Sequence, residues 1–277
     1  MIDEVKTERV TGDVDGTIAG SSLLVFSVDP QWGNIYFWLG RERKNTKWPQ
    51  GSETWSDFGG RPANEHEDAP TIAAREFWEE TGGMLRYFEG DPVPRMTMED
   101  IRESLRRKEY IFQITMWTEF DKKKRYFVTF VKQIPWSPEA TYAFSETSTI
   151  LNRLRNQMQC NPIRTEIDHQ CSKIQHPSIS SHLTLGGNTH YKINRDFLEK
   201  KAIRMWSIPQ LRYAIDQQLR REHKRGKPPV IPAGGMDIQK VDRFRSCFIP
   251  MMVAVLRELP YYEPMCNEQP DTVACRG

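Results

Sequence analysis

No stretch of this sequence stays apolar for the ~20 residues that a membrane-spanning helix needs, so no such helix is expected. The first residues, Met1-Ile2-Asp3-Glu4-Val5-Lys6, are charged and lack the hydrophobic centre of a secretory signal. An intracellular, cytoplasmic setting is therefore expected. An excess of one charge is also missing. Lys+Arg 39 against Asp+Glu 37 leave a net charge of +2, which argues against a generally cationic nucleic-acid binder. Cysteines are few and scattered, at 160, 171, 247, 266 and 275, and no Cys-x-x-Cys occurs. Cys160, Cys171, His169 and His176 are neighbours in sequence, but their spacing fits no compact zinc pattern, and free thiols are expected. No internal repeat is evident.

What is present suits a globular chain. Hydrophobic residues make up 38% and aromatics 11%, enough for a core, while 27% charged residues suit a soluble surface. A length of 277 residues fits one large domain or two small ones. Ile18 to Val28 and Ile35 to Gly40 read as strands, joined by a turn at Asp29-Pro30-Gln31-Trp32-Gly33-Asn34. Met98 to Lys108 reads as a short helix. Tyr110–Phe120 and Arg125–Ile134 read as a hairpin. Val241 to Leu259 carries Phe244, Phe248, Met252, Val255 and Leu259 at helical spacing, which predicts a C-terminal amphipathic helix. Pro135 to Asn194, rich in polar residues, reads as a long insertion with one short helix from Ser148 to Met158.

The densest chemistry lies in Arg75-Glu76-Phe77-Trp78-Glu79-Glu80-Thr81-Gly82. Glu76, Glu79 and Glu80 stand at i, i+3 and i+4, one face of a helix. Asp68 predicts the N-cap, Pro70 suits the first turn, and Gly82-Gly83 predicts the stop. Like charges so close destabilise an isolated helix by a few tenths of a kcal/mol per pair. A hard divalent cation turns that repulsion into ligation, and such cations commonly act on phosphates. Upstream, Trp55-Ser56-Asp57-Phe58-Gly59-Gly60 reads as a strand entering a glycine turn, where backbone can approach a metal or phosphate closely.

Together, Gly60 to Gly82 resembles the Nudix box, with Arg75, Glu76, Phe77, Glu79, Glu80 and Gly82 in register and seven residues between Glu67 and Arg75. Two departures stand out. Six residues rather than five separate Gly60 from Glu67, which leaves Glu65 as an alternative to it, and Gly83 replaces the usual aliphatic residue. The resemblance implies an α/β Nudix fold, an α/β/α sandwich with a mixed sheet and the insertion before the last core strand. That strand is expected within Phe197 to Ile208, followed by a helix at Leu211–Ile215. The expected limits are an N-terminal extension (1–17), the domain (18–262, with 135–194 inserted) and a tail (263–277).

The resemblance further implies Mg²⁺- or Mn²⁺-dependent hydrolysis of a pyrophosphate in a nucleotide-derived substrate. It makes Glu76, Glu79 and Glu80 the metal ligands, with the Gly60 carbonyl (or that of Gly59), and it gives Arg75 and Glu67 supporting roles. A general base is sought among Glu79, Glu139, Glu146 and Glu199. Trp48, Trp55 and Phe58 are candidates for stacking on a base. Arg41 belongs to one of four basic clusters, near residues 41–47, 102–108, 122–125 and 220–227, that suit a polyanion. The layout also resembles, less specifically, the Nudix proteins of large DNA viruses and related decapping enzymes, which makes capped RNA one expected substrate. Two alternatives stay open: hydrolysis of diphosphoinositol polyphosphates, and a non-catalytic module that binds nucleotide or RNA.

Overall fold

The computed structural model describes residues 4–8, 16–44, 51–85, 97–120, 123–160, 164–174, 176–183, 189–223 and 243–261. Strands β1 (Glu4–Glu8), β2 (Thr17–Val28), β3 (Ile35–Glu42), β4 (Trp55–Ser56) and β5 (Phe58–Gly60) lead into helices α1 (Ala69–Thr81) and α2 (Met98–Arg106). The hairpin β6 (Phe112–Phe120) and β7 (Lys123–Gln133) follows. Next come α3 (Ala140–Cys160), α4 (Arg164–Ser172) and a second hairpin, β8 (Ile179–Leu183) with β9 (Thr189–Ile193). The chain closes with a 3-10 turn (Asp196–Leu198), β10 (Lys200–Ser207), α5 (Ile208–His223) and α6 (Phe248–Glu258).

The main sheet runs β1-β6-β7-β2-β3-β10, with β4 on β3 and β5 on β2. β2 pairs with β7 in parallel and with β3 and β5 antiparallel, so the sheet is mixed. Leu23 and Val25 project to one face of β2, Leu24 and Phe26 to the other, as the two-residue strand period requires. The first face is covered by Ala73, Ala74 and Phe77 of α1 and by Ile101 and Leu105 of α2. The second is covered by Leu211 and Ile215 of α5 and by Phe248, Met252 and Val255 of α6. The expected three-layer α/β arrangement is present, and no described helix is long and apolar enough to cross a membrane.

Four expectations are corrected. Residues 4–8 of the expected N-terminal extension form β1, an edge strand paired with β6. The insertion is mostly regular structure: α3 runs over 21 residues, and with α4 and the β8–β9 hairpin it encloses a small core of Leu151, Leu154, Ile167, Cys171, Ile193 and Leu198. The helix after β10 extends well past Ile215, to His223. The C-terminal helix starts at Phe248, because residues 243–245 are held extended against β4. There Trp55 N–H donates to the Arg243 carbonyl at 2.7 Å, and Arg245 N–H donates to the Trp55 carbonyl at 3.0 Å. The tail 263–277 and Trp48 lie outside the described residues.

Candidate active site

Helix α1 begins and ends where its sequence dictates. The Asp68 carboxylate accepts the Thr71 N–H at 2.9 Å, which satisfies one of the donors that a helix start leaves unpaired. At the other end Gly82 takes the left-handed conformation, φ 59°, and Gly83 follows at φ 68°. Gly83 departs from the usual aliphatic for a visible reason: a Cβ there would sit 2.9 Å from the Trp78 ring. Ile72, Ala73, Ala74 and Phe77 bury the apolar face, with Phe77 edge-on to Phe58 at 5.5 Å between ring centres. The opposite face carries the glutamates toward a cleft of about 570 Å³ lined by Gly59, Gly60, Arg61, Arg75, Glu76, Glu79, Glu80, Asp196, Glu199 and Arg245.

Arg75 organises this wall. Its Nε and Nη2 donate to the two oxygens of Glu67 at 3.1 and 3.2 Å. Its Nη1 donates to Glu76 Oε1 at 2.8 Å and to Glu79 Oε2 at 3.3 Å, and Nη2 also reaches the Arg61 carbonyl at 2.9 Å. Partial burial would weaken the guanidinium's hold on its proton, but these carboxylates strengthen it, so Arg75 stays charged. Partial burial would raise the Glu67 carboxyl, yet Arg75 and the Ala63 N–H, 2.6 Å from Oε2, hold it below the usual value. Despite the extra loop residue, it is Glu67 that pairs with Arg75, while Glu65 is 88% exposed beside His66. Gly60 lies against Glu76, where a Cβ would come 2.2 Å from Oε1, so a side chain there would displace that carboxylate.

The cleft holds five carboxylates against three arginines. Burial pushes the Glu79 carboxyl up to about 7. Arg75 opposes that rise, and Glu76 and Asp196 add to it. Glu76 is raised for the same first reason, burial, against the pull of Arg75. Glu199 is raised by desolvation and then by repulsion from Glu76 and Glu42. Hard oxygen donors that crowd and repel in this way suit Mg²⁺ or Mn²⁺. As the side chains stand, no three His, Cys, Asp or Glu residues among those described converge on one metal position. The reason is visible: Arg75 draws Glu76 and Glu79 toward itself, and the Glu80 carboxylate, on the same cleft wall, is engaged by Lys200 and the Gly59 N–H.

Glu80 joins a buried network that the local sequence did not announce. Its Oε1 lies 2.9 Å from Lys200 Nζ, and its Oε2 accepts the Gly59 N–H at 2.9 Å. Burial raises the Glu80 carboxyl, and Lys200 pulls it back toward the ionised form. Burial alone would lower the Lys200 pKa, but Glu80 and Glu42 outweigh it and raise it. Glu42 also binds Arg245. Asp57 lies close by, its carboxyl raised by burial and steadied by Ser22, whose Oγ donates at 2.5 Å and meets Thr129 Oγ1 at 2.8 Å.

The remaining sequence candidates separate cleanly. Glu199 lines the cleft, and Asp196 joins it from the same short turn. Glu139 and Glu146 lie on exposed parts of the insertion, bonded to Ser137 and Tyr142, and do not line the cleft. Arg41 donates to the Glu53 carbonyl at 3.3 Å and does not line it either. Trp55 and Phe58, expected to stack on a substrate, are core residues. Trp55 is 3% exposed and packs edge-on against Trp206, while Phe58 is fully buried under α1. No zinc cluster forms among the described residues: Cys171 is buried in the insertion core, and His176 packs over Gly82 and edge-on to Phe197.

No family model matches the chain, and no curated protein does. Solved structures give remote likenesses. One is a C. elegans Ap4A hydrolase binary complex, 15% identical over 43% of this chain and 68% of that one, with a TM-score of 0.26. Another is the NUDIX domain of Shewanella oneidensis NrtR complexed with ADP ribose, 7% identical over 77% of this chain and 91% of that one, TM-score 0.32. A third is a MutT/nudix family protein from Enterococcus faecalis, 13% identical over 47% of this chain and 41% of that one, TM-score 0.28. At TM-scores this low, the site stands on its own residues.

Proposed function

We propose that this chain is a divalent-metal-dependent pyrophosphohydrolase of the Nudix kind that acts on a nucleotide-derived substrate. The supporting observation is the Arg75 hub, which ties Glu67, Glu76 and Glu79 into one wall of the cleft beside the Gly59-Gly60 turn. A cleft with more carboxylates than arginines repels a polyphosphate. A divalent ion between the two reverses that, so a metal and an anionic substrate account together for a wall that neither alone explains.

Glu76 and Glu79 are the residues that would hold Mg²⁺ or Mn²⁺, with the Gly60 backbone adjacent. When bound, the ion neutralises charge on the phosphoanhydride and makes water a better nucleophile. Arg75 keeps the carboxylates in place and Glu67 keeps Arg75 in place, a supporting chain of the sort that metal sites depend on. Taking the proton from the attacking water falls to Glu199, which lines the cleft and whose carboxyl is raised by burial. Arg61 and Arg245 line the cleft and supply the positive charge that a substrate phosphate would meet. Capped RNA and diphosphoinositol polyphosphates are finer readings that rest on basic clusters. Of those at 122–125 and 220–227, Lys122 and residues 224–227 lie outside the described residues.

The test is a hydrolysis screen with Mg²⁺ and then Mn²⁺. It would set dinucleoside polyphosphates, ADP-ribose, nucleoside triphosphates, capped RNA and diphosphoinositol phosphates side by side, with Glu79→Gln as control. Metal-dependent cleavage lost in the variant supports the reading. Cleavage of nothing, with nucleotide binding retained, favours the non-catalytic module instead.

A further inference from the structure

Lysine is rarely buried unless paired, and the Lys200 side chain is 0% exposed. Its three ammonium protons meet three acceptors: Glu42 Oε1 at 2.5 Å, Glu80 Oε1 at 2.9 Å and Ser56 Oγ at 3.3 Å. The second Glu80 oxygen is held by the Gly59 N–H, and the Glu80 side chain is 3% exposed. The enclosure is built rather than incidental. A β-bulge between Lys200 and Ala202 shifts the strand register and turns Lys200 onto the α1 face of the sheet. The Lys200 stem then runs past Gly40, where a Cβ would stand 2.8 Å from its Cδ, so the neighbouring strand leaves room by carrying no side chain.

Glu76 and Glu79 differ in kind. Each engages Arg75 through one oxygen, and their side chains are 13% and 18% exposed, whereas that of Glu80, on the same cleft wall, is 3% exposed.

We infer that Lys200 is a resident cation that fills the place beside Glu80 where a divalent ion would otherwise bind. Glu80 therefore locks α1 to β5 and β10, and the divalent ion is carried by Glu76 and Glu79 without it. An ammonium and a metal ion on one buried carboxylate repel each other, so Lys200 keeps metal away from Glu80 and directs it toward the open part of the cleft. This rests on the hydrolase reading above and narrows which of its carboxylates bind metal.

The experiment is Mn²⁺ titration of the full chain, following free Mn²⁺ by electron paramagnetic resonance, which needs no substrate. Glu76→Gln and Glu79→Gln are expected to weaken Mn²⁺ binding by about 10-fold or more. Glu80→Gln, which keeps a hydrogen-bonding partner for Lys200, is expected to stay within about threefold of the parent. Lys200→Met frees Glu80 and is expected to tighten binding or add a second Mn²⁺. If that variant does not fold, the Glu80→Gln comparison decides alone. A Glu80→Gln loss as large as that of Glu79→Gln overturns the assignment and leaves the hydrolase reading standing. A parent chain that binds no Mn²⁺ overturns both.

Discussion

Arg75 grips Glu67 with two parallel bonds, Nε to Oε1 at 3.1 Å and Nη2 to Oε2 at 3.2 Å. This fork joins the loop after β5 to the middle of α1, and it leaves Nη1 for Glu76 and Glu79. A lysine has no planar fork and cannot make this set of contacts. Arg75→Lys is expected to lower kcat by roughly 10- to 100-fold with the fold intact. Steady-state kinetics with a circular-dichroism control measures it, and unchanged kcat would remove Arg75 from its organising role.

Gly60→Ala inserts a methyl group where Glu76 Oε1 now lies, 2.2 Å away. The carboxylate must swing out. A displacement of about 1 Å can cost on the order of 100-fold in rate. Mn²⁺ affinity and turnover should both fall while the melting temperature changes little. A variant that melts early yet binds Mn²⁺ normally would show that Gly60 serves stability rather than the cleft.

Trp55→Ala should harm stability without changing substrate affinity. Trp55 is buried against Trp206 and beneath Phe244, and truncating such a ring typically costs about 3–5 kcal/mol. Measured at a temperature where the variant stays folded, KM should match the parent. A raised KM with normal stability would return Trp55 to the substrate pocket.

Asp68 supplies a pH test. Partial burial would raise its carboxyl, but the Thr71 N–H, the Thr71 hydroxyl and Arg106 hold it below its ordinary 3.8. A depressed folded-state pKa means stability that is present above the unfolded value and lost as pH falls through the folded one. Asp68→Ala should cost about 1 kcal/mol at pH 7 by removing the cap. Asp68→Asn keeps a capping oxygen and should cost less, about 0.5 kcal/mol or under for a group this exposed. Both should flatten the acid side of the stability profile. Urea unfolding from pH 7 to pH 3 reads the difference, and an unchanged acid slope in Asp68→Asn would show the charge to be irrelevant.

What was legible in the sequence was local. The limits of α1 follow from Asp68, Pro70 and Gly82, each within a few residues of the bond it controls. The glutamate face follows from helical spacing, and Glu199 was accessible as a later acidic residue. The buried network was not legible, because Glu42, Asp57, Lys200 and Arg245 come from separate segments and meet only through strand pairing. Simple alternation along β10 would put Lys200 on the same face as Ala202, away from α1, and the bulge reverses it. Trp55 and Phe58 misled for a related reason. Their run reads as a strand entering a glycine turn, but the pattern does not show that β4 and β5 lie on β3 and β2, which buries both rings. In the 243–247 stretch the helical pattern is overruled by backbone bonds to Trp55.

The contact between Arg245 and Glu42 spans 203 positions, and Lys200 stands 158 from the same glutamate. A ribosome therefore delivers the box helix long before its counter-charges exist. Until residue 200 emerges, seating Glu80 under the sheet would desolvate a carboxylate with no ammonium beside it, which is strongly unfavourable. The helix must wait, or dock loosely, until the C-terminal third is made. Seating of Glu80 thus depends on the strand that carries Lys200, and chains cut short before β10 should expose α1 to proteases that the finished protein resists.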